Sequence, residues 1–514
     1  MLDPANDVEK ASDNKETIVQ VVEEHSPHHD VDDVPRDRGL WKLLDRLDGV
    51  ETRGIERVPP NDRNHTHRLS DCVWMWFGAN TTIATFALGT LGSSVFGLDF
   101  RPATFTIIFF NLISTIPVAY FSTFGPKLGL RQMTLSRFSF ALYFPNWIPV
   151  ILNLVACLGW STVKCIAGAL TLSAAKFPKI PSTAGVIIIA ISSLVPSFIG
   201  YRYVFAFERY TWIPNAVMFF LIFGLCGQYF DFSSSGDAST SVTVASVLSF
   251  GSAVCGFGLG WSSLAADYTV NYPEDVSSIR LFIWNYIGLN VPLILVEILG
   301  AAMMTTLKSS APKFAEGYAS GSIGGLLGAA LTPLGLPGQL GLPILASGVI
   351  ANNILNMYSL ALTTQALHPW LQSIPRPFIC VIGTVVSIVL AVTGINHFAS
   401  WLNVFLDLLG YVLAIYCTIV IEEHLIFRRG KWSNYDPENI ADPKHLPVGI
   451  AATVALIAGV IGTVLGMSQE WYIGVLAKQI EPNIGGDIGF ELAAAFTGIV
   501  YPIARHFEKK KFGR

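Results

Sequence analysis

The sequence predicts an all-α integral membrane protein with 12 transmembrane helices. Three observations carry that prediction. Of 514 residues, 52% are hydrophobic and only 14% are charged, against roughly 25% charged in a soluble domain. Past residue 70, apolar runs recur that approach or exceed the ~20 residues needed to cross a bilayer. One cation, Lys164, is embedded in such a run, I-P-V-I-L-N-L-V-A-C-L-G-W-S-T-V-K-C-I-A-G-A-L-T-L over 148–172. A charge at that depth costs about 3 kcal/mol or more and faces a polar cavity or a partner.

Residues 1–70 read as a largely disordered cytoplasmic tail. They are polar, with a charged run V-E-K-A-S-D-N-K-E and the cluster H-S-P-H-H-D, and have no apolar core behind a basic start, so they are no signal peptide. A twelve-helix membrane domain follows over 71–506, then a basic cytoplasmic tail over 507–514. The spans are read at 72–97, 103–124, 145–174, 184–200, 203–229, 242–270, 279–304, 340–367, 375–394, 398–422, 447–467 and 487–505. The Gly/Ala/Leu-rich stretch 305–339 has room for a short interfacial helix. With the N-terminus inside, the inner segments carry 26 Lys and Arg and the outer ones 6; counted over loops alone the ratio is 11 to 6. The bias predicts both termini in the cytoplasm. Asn64-His-Thr66 then lies inside and Asn80-Thr-Thr82 within a span, so neither is a glycosylation site. The seven cysteines lie in or beside apolar segments, which is neither a disulfide framework nor a metal pattern.

Two spans carry interruptions. The first reads W-M-W-F-G-A-N-T-T, with Gly78 and Asn80; the sixth reads C-G-F-G-L-G-W-S-S, with Gly256, Gly258 and Gly260. Glycine lets a helix unwind, and unwound backbone at bilayer depth is tolerated where it lines a cavity. The offset of five spans is that of an inverted repeat with the substrate site between the two broken helices. Close packing through small residues is the other reading.

Polar residues fall on helical faces. Asn153, Cys157, Trp160, Lys164 and Gly168 share a stripe of the third span. Asn352, Asn356 and Ser359 share one in the eighth, with Asn353 beside it; Asn403 and Asp407 are four apart in the tenth; Glu297 stands alone in the seventh. Amides serve equally as cross-helix glue, and Trp160 and Trp261 also read as packing aromatics. Taken together, two indoles and several amides suit a flat, hydrogen-bonding heterocycle, since ring stacking adds about 1 kcal/mol beyond burial and amides discriminate ring edges.

At these residues the chain resembles the fungal purine-cytosine permeases of the nucleobase-cation-symport-1 family. The likeness rests on R-G-I-E-R-V-P-P (53–60), T-F-A-L-G-T-L-G (85–92), L-G-L-R-Q-M-T-L-S-R (128–137), G-W-S-T-V-K-C-I-A-G (159–168), G-F-G-L-G-W-S-S-L-A-A-D-Y (256–268) and A-N-N-I-L-N-M-Y-S (351–359). It implies a leucine-transporter-type 5+5 inverted repeat plus two extra helices, and a proton-driven importer of the plasma membrane. It also implies substrate contacts at Trp160, Trp261 and Asn356, and around Thr81 to Thr85. Three positions depart from the family pattern: Lys164 stands for an asparagine, Leu355 for a proline, and Ala84 for a polar residue.

The substrate set read from the sequence is therefore Trp160, Lys164, Trp261, Asn356, Asn80, Thr81, Thr85 and Asn353. Lys164, Asp267, Asp407 and Glu297 are the coupling or gating candidates, with Lys164 a buried amine able to take up and release a proton. The expected cargo is a nucleobase or related nitrogen heterocycle. A vitamin B6-like pyridine, an allantoin-like compound or a secondary metabolite on the same fold is the alternative, and a non-transporting receptor a further one. The proton is the expected coupling ion; no cofactor, metal or nucleic acid is expected, and a homo-oligomer is left open beside the lipid bilayer as partner. No nucleophile–base set or H-E-x-x-H motif points to an enzyme, and no filter-like repeat to a channel.

Overall fold

The computed structural model describes residues 54–63, 68–175, 179–199, 201–233 and 239–514. Most of the tail predicted over 1–70, and the candidate sequon at Asn64, lie outside the described residues. The main helices are α1 (Leu69–Asn80), α2 (Ile83–Ser94), α3 (Phe100–Phe121), α4 (Trp147–Ser173), α5 (Ser182–Ile199), α6 (Tyr201–Cys226) and α7 (Thr240–Leu259). Then come α8 (Ala265–Thr269), α9 (Ser278–Thr305), α10 (Pro312–Leu331), α11 (Leu336–Leu367), α12 (Arg376–Gly394), α13 (Phe398–Glu422), α14 (Ile450–Gly466) and α15 (Gly489–Phe512). A hairpin of β1 (Ser468–Gln469) and β2 (Tyr472–Ile473) joins the last two, with Gln469 opposite Tyr472. Each apolar stretch read from the sequence contains helix. Among the described residues, seven helical segments are long and apolar enough to cross a membrane, and Ile83–Ser94, Ser182–Ser197 and Ile450–Gly466 are shorter apolar helices.

The polarity of the packed body suits lipid as its solvent. Phe105, Phe220, Leu295 and Ile457 stand on the outer surface, while Asn80, Lys164, Glu297, Asn352, Asn356 and Asp407 are buried. The core of the packing is the two interrupted spans, α1/α2 and α7/α8, with α4 and α11 between them: α4 runs along α11, α9 lies against α1, α2 and α3, and α7 packs on α3 and α13. Helices α14 and α15 pair with each other at the edge of the bundle.

Both interruptions exist, but of the four glycines singled out only Gly260 lies in one. The first falls at Thr81 and Thr82, past Gly78, which stays helical. Thr82 turns extended (φ −136°, ψ 163°) and its Oγ1 accepts from Thr85 N at 3.5 Å, capping α2. A threonine at the N-cap supplies the acceptor that the free amides of a new helix need. The second interruption covers Gly260 to Leu264. Gly256 and Gly258 remain within α7. There a Cβ would collide with the backbone carbonyl of Leu406 or the hydroxyl of Ser114, so these two glycines serve close helix packing.

Two other regions differ from the sequence reading. Part of the predicted tail, Gly54–Arg63, packs on the loop after α3: Val58 N donates to Gly129 O (2.8 Å), Arg57 Nε to Leu128 O (3.1 Å), and Arg63 to Val58 O (3.2 Å) and Pro126 O. At the other end, α15 continues through the stretch read as a tail to Phe512. Arg505 explains this, binding Glu423 Oε2 (3.0 Å), Glu508 Oε1 (2.8 Å) and Arg514 O (2.9 Å). Glu508 in turn accepts from the amides of Val448, Gly449 and Ala451 at the start of α14. Within 305–339, α10 occupies the place left for an extra helix, kinked at Gly321 and Ser322.

Candidate functional site

The cavity at the centre of the bundle is built from four elements. The middle of α4 contributes Trp160 and Lys164, one turn apart. Phe257 comes from the end of α7, and Gly260, Trp261 and Leu264 from the break after it. Asn352 and Asn356 come from α11, and Ala84 from the first turn of α2. The space left between their side chains is about 10 Å³, room for about one water molecule. Trp160 and Lys164 keep only 7% and 3% of their surface exposed, so the space is closed to the outside.

Lys164 sets the character of this space. Its Nζ stands 5.6 Å from the ring centroid of Trp160 and 5.4 Å from that of Trp261, and donates to Asn352 O at 3.5 Å. An ammonium over an indole is attracted by the ring quadrupole, by about 2 kcal/mol when desolvated. The cation therefore occupies the region between the two indoles that a flat ring would enter.

The indoles are held from behind. Trp160 meets Phe257 and Phe405 edge-on, at 5.0 Å and 5.1 Å. A Cβ on Gly260 would lie 2.9 Å from Trp160 Cζ2, so only glycine lets the break approach the ring this closely. Trp261 Nε1 donates to Asn80 Oδ1 at 3.1 Å, while Asn80 Nδ2 donates to Trp76 O at 3.0 Å. Asn80 thus ties one broken span to the other and fixes the Trp261 ring. Asn356 Nδ2 donates to Cys157 O at 2.6 Å and Asn352 Nδ2 to Ala79 O. The Asn352 Oδ1, buried, has no hydrogen-bond partner among the described residues, which leaves it an acceptor for a donor on a bound ring.

Trp160, Lys164, Trp261 and Asn356 are brought together as the sequence reading expected. Asn80 is displaced by one layer, behind Trp261. Thr81, Thr85 and Asn353 do not line the cavity. Thr81 faces an apolar space with Phe77, Trp212 and Phe219 on the far side of α1. Thr85 Oγ1 lies 3.3 Å from Thr82 Oγ1 within the α2 cap. Asn353 is one residue, about 100° of helix, off the Asn352–Asn356 face. Asn352 replaces it in the lining; its i, i+4 spacing to Asn356 was the available signal. Phe257 and Leu264 were not read from the sequence, because nothing in an apolar run distinguishes a cavity wall from a packing residue.

The gating candidates lie in three places. Asp267 is buried beneath the cavity in a lock between loops and spans. Its Oδ1 accepts from Gln132 N (2.8 Å), its Oδ2 from Ser359 Oγ (3.0 Å), and its backbone O from Arg131 (2.8 Å). Gln132 Nε2 extends the lock to Tyr416 Oη at 2.9 Å. Glu297 faces α3, where Asn111 Nδ2 donates to its Oε2 at 2.7 Å. Asp407 lies on α13 and accepts from Gln469 at 3.0 Å. None of Asp267, Asp407 and Glu297 lines the Lys164 cavity. Among the described residues there is no group of three or more His, Cys, Asp or Glu able to hold a metal ion.

Comparison with known proteins fits this geometry. Residues 58–481 match a family described as permease for cytosine/purines, uracil, thiamine, allantoin. The chain is 44% identical to purine-cytosine permease fcyB of Emericella nidulans, over 90% of each chain, and 38% identical to purine-cytosine permease FCY21 of Saccharomyces cerevisiae, over 90% of this chain and 88% of that one. In fold it is similar to Mhp1, a nucleobase-cation-symport-1 family transporter solved in a closed conformation with bromovinylhydantoin bound. The TM-score is 0.65 at 16% identity, covering 90% of this chain and 96% of Mhp1. These relatives are permeases and transporters, not enzymes. A broken-helix bundle around a closed aromatic cavity, with sequence identity over nine-tenths of the chain, makes this protein a multi-pass membrane transporter belonging to the cytosine/purine permease family.

Proposed function

We propose that this chain is a proton-coupled importer that carries a nucleobase or closely related flat nitrogen heterocycle across the plasma membrane. It would do so through 12 spans arranged as a 5+5 inverted repeat plus two, with both termini in the cytoplasm. The permease relatives support the cargo class, and the two interrupted spans meeting at one cavity support the repeat. In this reading the substrate ring sits between Trp160 and Trp261. Asn352 and Asn356 address its edge, and Lys164 donates to a carbonyl or carboxylate on it. The lock of Asp267, Gln132 and Ser359 closes the inner path.

The single observation that carries the reading is the Lys164 ammonium between two indoles beside two amides. It favours cargo with an acceptor directed at the cation, because a charged donor left without an acceptor on binding loses the hydration or contacts it gives up. The test is uptake in cells lacking their own nucleobase permeases. A labelled panel of cytosine, purines, and heterocycles bearing ring carbonyls or a carboxylate is measured over external pH. Saturable uptake that rises with acidity and prefers the acceptor-bearing members is expected, and Lys164→Asn shifts the preference toward cytosine or adenine. Uptake flat with pH but abolished by removing sodium overturns the proton coupling. An unchanged substrate profile in Lys164→Asn overturns the role of Lys164.

A further inference from the structure

On the other side of the cavity from the Asp267 lock, two carboxylates are buried together with no salt-bridge partner among the described residues. Asp407 and Asp487 keep 2% and 1% of their surface exposed. Gln469, on the β1 strand, bridges them: its Nε2 is 3.0 Å from Asp407 Oδ2, 2.9 Å from Tyr411 Oη and 3.5 Å from Asp487 Oδ2. Tyr411 donates its hydroxyl to Asp487 Oδ2. Asp487 is further held by Ser468 N (2.8 Å) and Gly489 N (2.9 Å), and its own amide donates to Ser249 Oγ of α7 at 3.1 Å. One cluster therefore joins α7, α13 and the segments flanking the β hairpin, all at the ends that the loop charges place outside.

The cluster lacks a proton's worth of positive charge. One amide nitrogen has two hydrogens for the three acceptors around it. The hydroxyl of Ser252, on α7, is a further donor acting on Asp407, and it too is uncharged. Among the described residues, the charged or titratable groups acting on the pair are each other, Tyr411 and, one turn along α15, Glu491; all are acids. Two carboxylates sharing a dry site cannot both be ionised cheaply.

We propose that Asp407 and Asp487, bridged by Gln469, form a proton-holding latch on the outer side of the cavity. It is closed while the pair carries a proton taken from the outer water, and released when both carboxylates ionise. The mechanical link runs through α13. Leu406, beside Asp407, presses its backbone carbonyl on Gly256 of α7, and Phe405 packs on Gly159 and edge-on to Trp160 at 5.1 Å. Separation of the two carboxylates thus moves α13 away from the wall of the substrate site. The latch takes its role in transport from the proton-coupled reading above, but its titration is read without any substrate.

The experiment uses the purified full chain in lipid nanodiscs, in sodium-free buffer, over a pH series. Hydrogen exchange is followed at Ser468 and Gly489 and corrected for the intrinsic pH dependence. The infrared carbonyl band of protonated carboxylic acids is followed in parallel. Expected is protection of both amides at low pH that falls at least about tenfold through one titration, with a matching loss of carbonyl band. Asp407→Asn keeps the amide protected at least about one pH unit higher and removes part of the band; Asp487→Asn, which loses the acceptor of both amides, lacks the band component even if its loop is less protected. Protection independent of pH in the native protein, an unchanged midpoint and band in Asp407→Asn, or protection that appears only when sodium is added, overturns the latch. A chain that titrates as described but takes up no heterocycle overturns the transport reading and leaves the latch standing.

Discussion

Lys164→Met tests how the cavity selects its cargo. Methionine keeps an unbranched apolar chain of similar length and removes the ammonium that stands 5.6 Å and 5.4 Å from the two indole centroids. A hydrogen bond from a charged donor is worth about 1.5–3 kcal/mol. A heterocycle whose carboxylate or carbonyl meets Nζ should therefore bind about 10- to 150-fold more weakly to the variant. A ring without that acceptor behaves differently. In the native protein it must shift the ammonium off two aromatic faces, each contact being worth about 0.5–2 kcal/mol. In the variant it meets only a thioether. Its affinity should stay level or rise by about fivefold, a change of about 1 kcal/mol. The assay is equilibrium binding to the purified protein in nanodiscs, with two ligands that differ only in the acceptor group. The ratio of the two dissociation constants is what the reasoning predicts, and it is insensitive to a general loss of folded protein. If both ligands weaken by the same factor, Lys164 supports the structure and does not select the substrate.

Two further outcomes follow from the packing. Gly260→Ala places a Cβ 2.9 Å from Trp160 Cζ2 and 3.1 Å from Phe257 O. The overpacking should lower stability by about 1–3 kcal/mol and weaken binding by displacing the indole; an unchanged melting temperature with unchanged binding refutes the close approach. Arg505→Met leaves the buried carboxylate of Glu508 without its guanidinium partner and that of Glu423 with Arg428 in place of two guanidinium groups. It should destabilise by about 3–5 kcal/mol while leaving ligand affinity in the folded fraction unchanged, read by thermal unfolding in detergent and by binding; native-like melting refutes it.

Much of the site was legible because a membrane makes polar residues conspicuous. Lys164 stood out in an apolar run, Trp160 lay one turn before it, and Trp261 followed a glycine run. Polarity did not reveal which side of a helix faces the cavity at single-residue resolution. Asn352 and Asn353 are adjacent and chemically identical, yet only the first reaches the lining. Glycine had the same ambiguity: Gly256 and Gly258 allow helices to touch, whereas the backbone actually breaks from Gly260 onward. At the first break a threonine cap, not Gly78, ends one helix and begins the next.

By itself, the sequence determined the membrane setting, the helical class, the two interrupted spans and the family, since these depend on composition, periodicity and local motifs along the chain. Only the tertiary structure decided what the buried polar groups do to one another. It put the Lys164 cation between two indoles, Trp160 and Trp261, that are 101 residues of chain apart, and it placed Asn80 behind the cavity as the anchor of Trp261. It also joined Asp407 to Gln469 and Asp487, which lie 62 and 80 residues further along. The physical reason is that a buried charge or amide takes its meaning from its partners in space, and at these separations the partners are chosen by how helices pack, not by spacing in the sequence.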